Sequence, residues 1–372
     1  MTSKAAQAPA ANFGEPHEET RAGRSYRRGM TTAVEVIALA PADLAAPVPL
    51  WEVGVAAGDV GVAVIDGSAD DWNAVAPAVG EELAAAPAIT IAVVRDGPAA
   101  GIAGECDLVA KPDRVSELVE LIARAPAPAL VAAQLLRGSR VATESFAYSM
   151  LMAGADFRAW RAGRPPGAGS ERGARVRVER ADGAWTITLS RPGRHNAFDG
   201  RMREQLCDAL DAVATGPPAP VVLVGEGPSF CSGGDLDEFG SAADPVAAHV
   251  VRTGRSAARR LARVADRLVA GVHGHCIGAG IELAAFAGRV IAASTTSFAL
   301  PELSIGLNLG AGGASSIPAR IGRQRTLELL LRAEPIDAGT ALRWGLVDEL
   351  VEPGAVGSRC AEAAHDMLAV AA

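Results

Sequence analysis

Two glycine-rich turns constrain this chain more than anything else in it. Each follows an unbroken apolar run. Pro220-Val-Val-Leu-Val224 leads to Phe230-Cys-Ser-Gly-Gly-Asp-Leu236, and Leu268-Val-Ala-Gly-Val272 leads to His273-Gly-His-Cys-Ile-Gly-Ala-Gly-Ile-Glu-Leu283. Short apolar runs of this kind suit strands buried on both faces, as in a parallel sheet. Glycine at this density removes the Cβ atoms that hold a backbone away from a bound group. The second turn opens a helix expected over Ile281–Ala287. Free amides and the helix dipole therefore favour negative charge there. The first turn offers a further amide at Gly234. Two such amides aimed at one oxygen make an oxyanion hole, and losing one donor of such a pair costs about a hundredfold in rate.

Two carboxylates accompany the turns. Glu282 lies in the first turn of the expected helix, and Glu302 follows Pro301 twenty residues later. Taken singly, each has an ordinary reading: a helix-start acid stabilised by the dipole, and an exposed loop acid or cap. Taken with the two amides, they supply what the formation and quenching of an enolate requires. Asp235 reads as an acceptor for its own loop's backbone, or simply as an Asx-turn residue.

Other candidates are weaker. His273 and His275 form a His-x-His pair but have no third ligand at metal-binding spacing, so no metal site is expected. His195, in the turn Arg191–Ala197, reads as a surface residue rather than a base. Cys231 and Cys276 lack a histidine partner and read as small apolar filling. Cys106, Cys207, Cys231, Cys276 and Cys360 form no close pair, and dispersed thiols point to a reducing, cytoplasmic setting. Gly225–Pro228 and Gly310–Gly313 lack both the Gly-Lys-Ser/Thr ending and the G-x-G-x-x-G spacing, which excludes nucleoside triphosphates and dinucleotides.

A length of 372 residues allows two domains. Hydrophobic residues make up 49%, much of it alanine, and aromatics only 4%, which favours close helix packing. The net charge of −8 argues against nucleic acid and membrane surfaces as partners. No apolar run reaches the roughly 18 residues of a membrane span. Residues 1–33 read as a disordered tail without the h-region of a signal peptide, and Met30 stands as an alternative translation start. Residues 166–173 read as a linker within Arg164-Pro-Pro-Gly-Ala-Gly-Ser-Glu-Arg-Gly173. Beyond it, Val176–Glu179 and Trp185–Leu189 form a hairpin around Ala181-Asp-Gly183, a helix covers Asp199–Thr215, and strand and helix alternate to the end. That pattern is α/β. Residues 34–165 repeat the grammar weakly, with strands at Val60–Ile65 and Ile89–Val94, a helix at Trp72–Ala86, and helical sequence over Asp113–Trp160. Strand Val60–Ile65 mirrors Trp185–Leu189 in this reading. The first part lacks both glycine turns and reads as a smaller, degenerate α/β copy of residues 174–372.

Residues 174–353 resemble the enoyl-CoA hydratase/isomerase (crotonase) superfamily. The resemblance rests on Arg191-Pro…Asn196-Ala, Ser229–Leu236, Gly278-Ala-Gly-Ile-Glu-Leu283, Pro301-Glu302, Gly310-Ala-Gly-Gly313 and Pro335–Val347, in order. It implies a crotonase-like (ββα)n superhelix with helical elements, and a homo-oligomer, trimer or hexamer. It also implies an acyl-CoA thioester substrate, with CoA part of the substrate rather than a cofactor. Carried over by position, the oxyanion amides fall on Gly234 and Ala279. The two glutamates used by the family's hydratases fall on Glu282 and Glu302. Isomerases commonly keep one, so the pair favours hydration of a 2-enoyl-CoA to a 3-hydroxyacyl-CoA. Glu282 would deprotonate the water and Glu302 would protonate Cα. Substrate contacts fall on Asn196, Ala197, Asp235, Leu236, Gly278, Gly280 and Gly310, and the acyl pocket on Phe239–Arg260. Arg191, Arg194, Arg320 and Arg323 are candidates for the CoA phosphates. An isomerase, hydrolase or decarboxylase working through the same enolate is the alternative within the superfamily, and a non-catalytic thioester-binding scaffold the alternative outside it. Two departures stand out. Leu309 replaces the usual proline of the glycine loop. The family's C-terminal helical segment is matched upstream, in Leu118–Trp160, rather than before the end at Ala372. The helices of 113–161 are therefore expected to cover the site of 174–372.

Overall fold

A computed structural model describes residues 17–21, 24–31, 34–39, 60–66, 76–95, 101–138, 141–164, 173–242 and 244–371. The chain forms two compact units, Met1–Gln134 and Leu135–Ala372. The division falls inside the helix Pro126–Leu136, not at the expected linker 166–173. Helices Val141–Met152 and Ala155–Ala162 thus belong to the second unit. A Pro/Gly-rich stretch marks a covalent connection; it does not say which core the helices before it pack on. The expected linker itself lies largely outside the described residues.

In the first unit, strands His17–Arg21, Arg24–Thr31, Val34–Leu39, Val60–Asp66, Ile89–Val93 and Leu108–Ala110 lie in that order across one sheet. The first three pair antiparallel and the rest parallel. Residues 17–21 and 24–31 are therefore strands rather than part of an irregular tail. Their strands carry mostly charged and polar residues, and backbone pairing at a sheet edge needs no apolar alternation. Ile65, Leu83 and Ile102 sit in the core, with the helix Ala76–Ala85 supplying Leu83. Residues 67–75, where the helix was expected to begin, lie outside the described residues.

The second unit holds a six-stranded sheet in the order Val176–Ala181, Ala184–Leu189, Val221–Gly225, Leu268–Val272, Arg289–Ala293 and Glu349–Val351. The first two form the expected hairpin, turning through Asp182 at φ +49° and Gly183 at φ +79°. Positive φ at both central residues matches the right-handed twist of the strands. All later pairs are parallel. The first sheet opens with two antiparallel pairs and the second with one, and both continue as parallel strands in chain order.

Val221–Gly225 and Leu268–Val272 are parallel neighbours, so both glycine turns leave the same end of the sheet. A three-stranded sheet, His275–Ile277, Ser297–Ala299 and Ile336–Asp337, ties the second turn to the segment before Glu302. The long helix Val356–Ala371 covers the main sheet, with Val356, Cys360, Ala363 and Ala364 packed on Val222, Val269 and Ile291. Among the described residues, no single helix is long and apolar enough to cross a membrane.

Candidate active site

A pocket of about 630 Å³ opens in the second unit where the glycine turns meet. Gly234, Ala279, Glu282 and Glu302 all line it, with Leu236, Gly278 and Gly310. Asn196, Ala197, Asp235 and Gly280, also expected at the substrate, do not line it.

The first turn is held on both sides. Cys231 bridges Cys276 and Gly234 bridges Phe198, both parallel. At the second bridge the Phe198 amide donates to the Gly233 carbonyl and the Asp235 amide to the Phe198 carbonyl, each bond 2.8–3.0 Å. In this pattern the alternate residue turns its N–H the other way, so the Gly234 amide points away from Phe198. The second turn ends at Gly278, whose φ of +49° and ψ of −117° lie where side chains are not tolerated. Ala279 is the first residue of the helix Ala279–Ala284, so its amide has no carbonyl one turn back.

Glu282 is buried and tethered. One carboxylate oxygen, Oε2, accepts from the amides of Gly310, Ala311 and Gly313 at 3.1, 2.7 and 2.8 Å. Burial raises its pKa and the three amides pull it back, leaving it above the ordinary carboxylate range. Glu302 stands in the opposite situation. Its Oε2 is out of reach of solvent and has no hydrogen-bond partner. Burial first, and the Glu282 charge second, push it up to about 8. Its other oxygen lies against Gly278, where an added Cβ would sit 2.5 Å away. One carboxylate is thus held by donors while its neighbour is left in an environment that prefers the protonated form.

The residues outside the pocket build its frame. The Asn196 side-chain amide is fully buried and donates to the carbonyls of Glu226, Ser229 and Phe230, while its oxygen accepts from the Arg191 amide. Ala197 packs in the core, and its carbonyl accepts from Arg191 Nη1. Gly280 abuts the Cys231 carbonyl, with 2.6 Å left for a Cβ. Asp235 is buried and accepts from Arg191 Nη1 at 2.6 Å and from the Asp237 amide at 3.1 Å. Burial pushes its carboxyl up, but these bonds and the charges of Arg191 and Arg194 outweigh it and hold the pKa low. Asp199 continues the network to Arg191 and Arg175 and caps the helix Gly200–Thr215 through the Met202 amide. These contacts need the loop's exact fold, which residue types at sequence spacing do not convey.

The arginines expected at CoA phosphates are employed elsewhere. Arg191 is buried in that network, Arg194 pairs with Asp235 and Asp237, and Arg320 donates to the carbonyls of Leu346 and Ala287. Arg323 opens the helix Arg323–Arg332 and does not line the pocket. The histidines hydrogen-bond locally: His273 Nε2 meets the Gly227 carbonyl and His195 Nδ1 the Ser229 hydroxyl. Burial pushes the Cys231 thiol up to about 12, which suits filling rather than nucleophilic attack.

The helix Val141–Met152, within the stretch expected to cover the site, contributes residues that no sequence signal singled out. Its residues Glu144, Tyr148 and Met152, four apart, share one face. Tyr148 and Met152 line the pocket. The Tyr148 ring lies on Gly310, 2.7 Å from where a Cβ would stand, and burial pushes its phenol up. Glu144 is buried and accepts from the amides of Gly312 and Ala314 at 2.7 and 2.9 Å. The next helix, Ala155–Ala162, seats Phe157 against Gly240 and Gly306. The expectation that upstream helices cover the site holds for 141–162, within one unit; Val115–Arg124 belongs to the other. From the stretch Phe239–Arg260, Phe239, Ala247, Ala248, Val251 and Arg252 reach the pocket wall.

The family model for enoyl-CoA hydratase/isomerase matches residues 179–371. The chain is 33% identical over 174 residues to 2,3-dehydroadipyl-CoA hydratase of Escherichia coli (strain K12), covering 46% of this chain and 68% of that protein. It is 34% identical over 176 residues to 1,2-epoxyphenylacetyl-CoA isomerase of the same organism, covering 46% of this chain and 67% of that protein. Among solved structures, a putative enoyl-CoA hydratase from Thermobifida fusca YX in complex with CoA aligns with a TM-score of 0.48 at 29% identity, over 53% of this chain and 79% of that one.

Proposed function

The chain belongs to the enoyl-CoA hydratase/isomerase family, as an enzyme with its crotonase-like α/β fold, and we propose that it hydrates a 2-enoyl-CoA thioester to a 3-hydroxyacyl-CoA. The thioester oxygen accepts from the Gly234 and Ala279 amides. Ionised Glu282 takes a proton from water as its oxygen bonds to Cβ. The π electrons move to the carbonyl oxygen, where the two amides meet the enolate charge. Protonated Glu302 gives its proton to Cα and the carbonyl reforms. Glu282 ends protonated and Glu302 ionised, and both return to their starting state by exchange with solvent. One water is added overall.

The observation that carries this reading is the contrast between the two acids lining one pocket. Glu282 is held by three amides, and Glu302 is raised to about 8 and stays protonated near neutrality. A base and an acid are both needed for hydration. Glu282→Gln and Glu302→Gln, assayed by loss of enoyl conjugation, test it. Either change should remove nearly all hydration. The similarity to an isomerase favours the second reading, a double-bond shift using one acid, which would survive one of the two changes.

A homo-oligomer, trimer or hexamer, belongs to the same proposal. Phe146, Met150, Val246 and Val250 expose large apolar side chains on two adjoining helices, 57–67% accessible, which suits burial against another copy. Sedimentation velocity reads the assembly directly.

A further inference from the structure

We propose that Glu144 is a positioning residue for the base: it holds the loop 310–314, and through that loop the Glu282 carboxylate. This rests on the hydratase reading for its kinetic consequence but not for its structural one.

Five consecutive amides, from Gly310 to Ala314, are divided between two buried carboxylates. Glu282 Oε2 takes those of Gly310, Ala311 and Gly313. Glu144 takes the alternate pair, Oε1 from Gly312 and Oε2 from Ala314. The amides of Gly312, Gly313 and Ala314 belong to the N-terminus of the helix Gly313–Ile321, which has no carbonyl of its own to offer them, and those of Gly310 and Ala311 to the turn that leads into it. No internal side-chain cap serves that helix. Glu144 reaches it from 168 and 170 positions upstream.

Without Glu144 the Gly312 and Ala314 amides lose their buried acceptor. The turn must then rotate to find another, and the three amides on Glu282 turn with it. The packing leaves no slack, because an added Cβ on Gly313 would stand 2.5 Å from Glu282 Cγ. Tyr148, one turn further along the Glu144 helix, rests on Gly310 and clamps the other end of the loop. Burial first, and the charge of Glu282 second, favour a proton on Glu144, against the pull of its two amides. The pair thereby shares the helix terminus without placing two full charges side by side.

The experiment compares the full chain with Glu144→Gln and Glu144→Ala. Crotonyl-CoA hydration is the kinetic probe, and amide hydrogen exchange of the peptide spanning 310–314 is read alongside a distant reference peptide at 341–351. Glutamine keeps the shape but presents a donor to one of the two amides. Both variants should speed exchange in 310–314 about tenfold or more while the reference peptide is unchanged. Both should lower kcat about tenfold to a hundredfold with KM for crotonyl-CoA within about threefold, as expected when a base moves by a fraction of an ångström. Unchanged exchange in both variants overturns the proposal. So does faster exchange with kcat within about twofold of the unaltered chain. A variant whose loss tracks a general rise in exchange, reference peptide included, shows a merely structural role and also overturns it. If the unaltered chain hydrates no enoyl-CoA, the hydratase reading fails, and the exchange data alone decide whether Glu144 anchors the loop.

Discussion

Replacing Gly278 with alanine should separate catalysis from stability. Gly278 sits at φ +49° and ψ −117°, a conformation alanine adopts only under strain of about 1–3 kcal/mol. Its new Cβ would stand 2.5 Å from Glu302 Oε1. Ordinary contact is about 3.4 Å, so the carboxyl group must withdraw by about 0.9 Å. It lies at the end of a flexible side chain whose Oε2 has no partner and whose carboxyl is drawn only by its own backbone amide, so withdrawal breaks no bond to another residue. The displacement therefore costs little stability beyond the backbone strain. It moves the proton donor, and a misplacement near 1 Å costs about a hundredfold in rate. Gly278→Ala should lower kcat for crotonyl-CoA hydration by about a hundredfold and stability by about 1–3 kcal/mol in urea. Gly322→Ala is the control. Its φ of +79° and ψ of +154° are equally closed to alanine, but a Cβ there meets nothing within 4 Å. It should lose comparable stability and keep its kcat. A Gly278→Ala enzyme within about threefold of the unaltered kcat, or a Gly322→Ala enzyme that loses as much per folded molecule, would refute the reasoning.

The remaining predictions follow from the same side chains. The kcat/KM–pH profile should be bell-shaped, falling in acid as Glu282 is protonated and in alkali near pH 8 as Glu302 ionises; a flat profile through pH 9 contradicts the assignment of Glu302 as the acid. Folded Glu302 binds its proton more tightly than unfolded Glu302 does, so its contribution to stability falls as pH rises from about 4.5 to about 8. The Tm of Glu302→Gln relative to the unaltered chain should therefore climb between pH 5 and pH 9, by about 4 °C or more, and calorimetry at the two pH values reads it. Asp235→Ala removes one of the two carboxylates that face buried Arg191, Asp199 being the other, and should cost about 1–3 kcal/mol in urea unfolding, whereas an exposed acid such as Glu362 costs under about 1.

The glycine turns and the two acids were legible because each is a local signal. Glycine density reports close backbone approach, an apolar run reports a buried strand, and the order of the two fixes a turn at a strand end. The hairpin at Asp182-Gly183 was legible for the same reason. Asn196 and Asp235 were placed at the substrate although the structure sets them behind the loops. A motif marks a residue as needed without distinguishing contact with substrate from support of the loop that makes it. Glu144 was invisible because its partners are backbone amides 168 and 170 positions away, and a lone acid in a helix otherwise reads as solvated surface. The strands over 17–31 were missed because polar edge strands carry no apolar period. The division at Gln134 was missed because the Pro/Gly-rich stretch draws attention away from what the preceding helices pack on.

Turnover of crotonyl-CoA in deuterated water enriched in oxygen-18 tests the central claim most directly. The account predicts a 3-hydroxyacyl-CoA with one oxygen-18 at Cβ and one deuterium at Cα. A shifted double bond without solvent oxygen, release of free CoA, or tight binding without any turnover would contradict it.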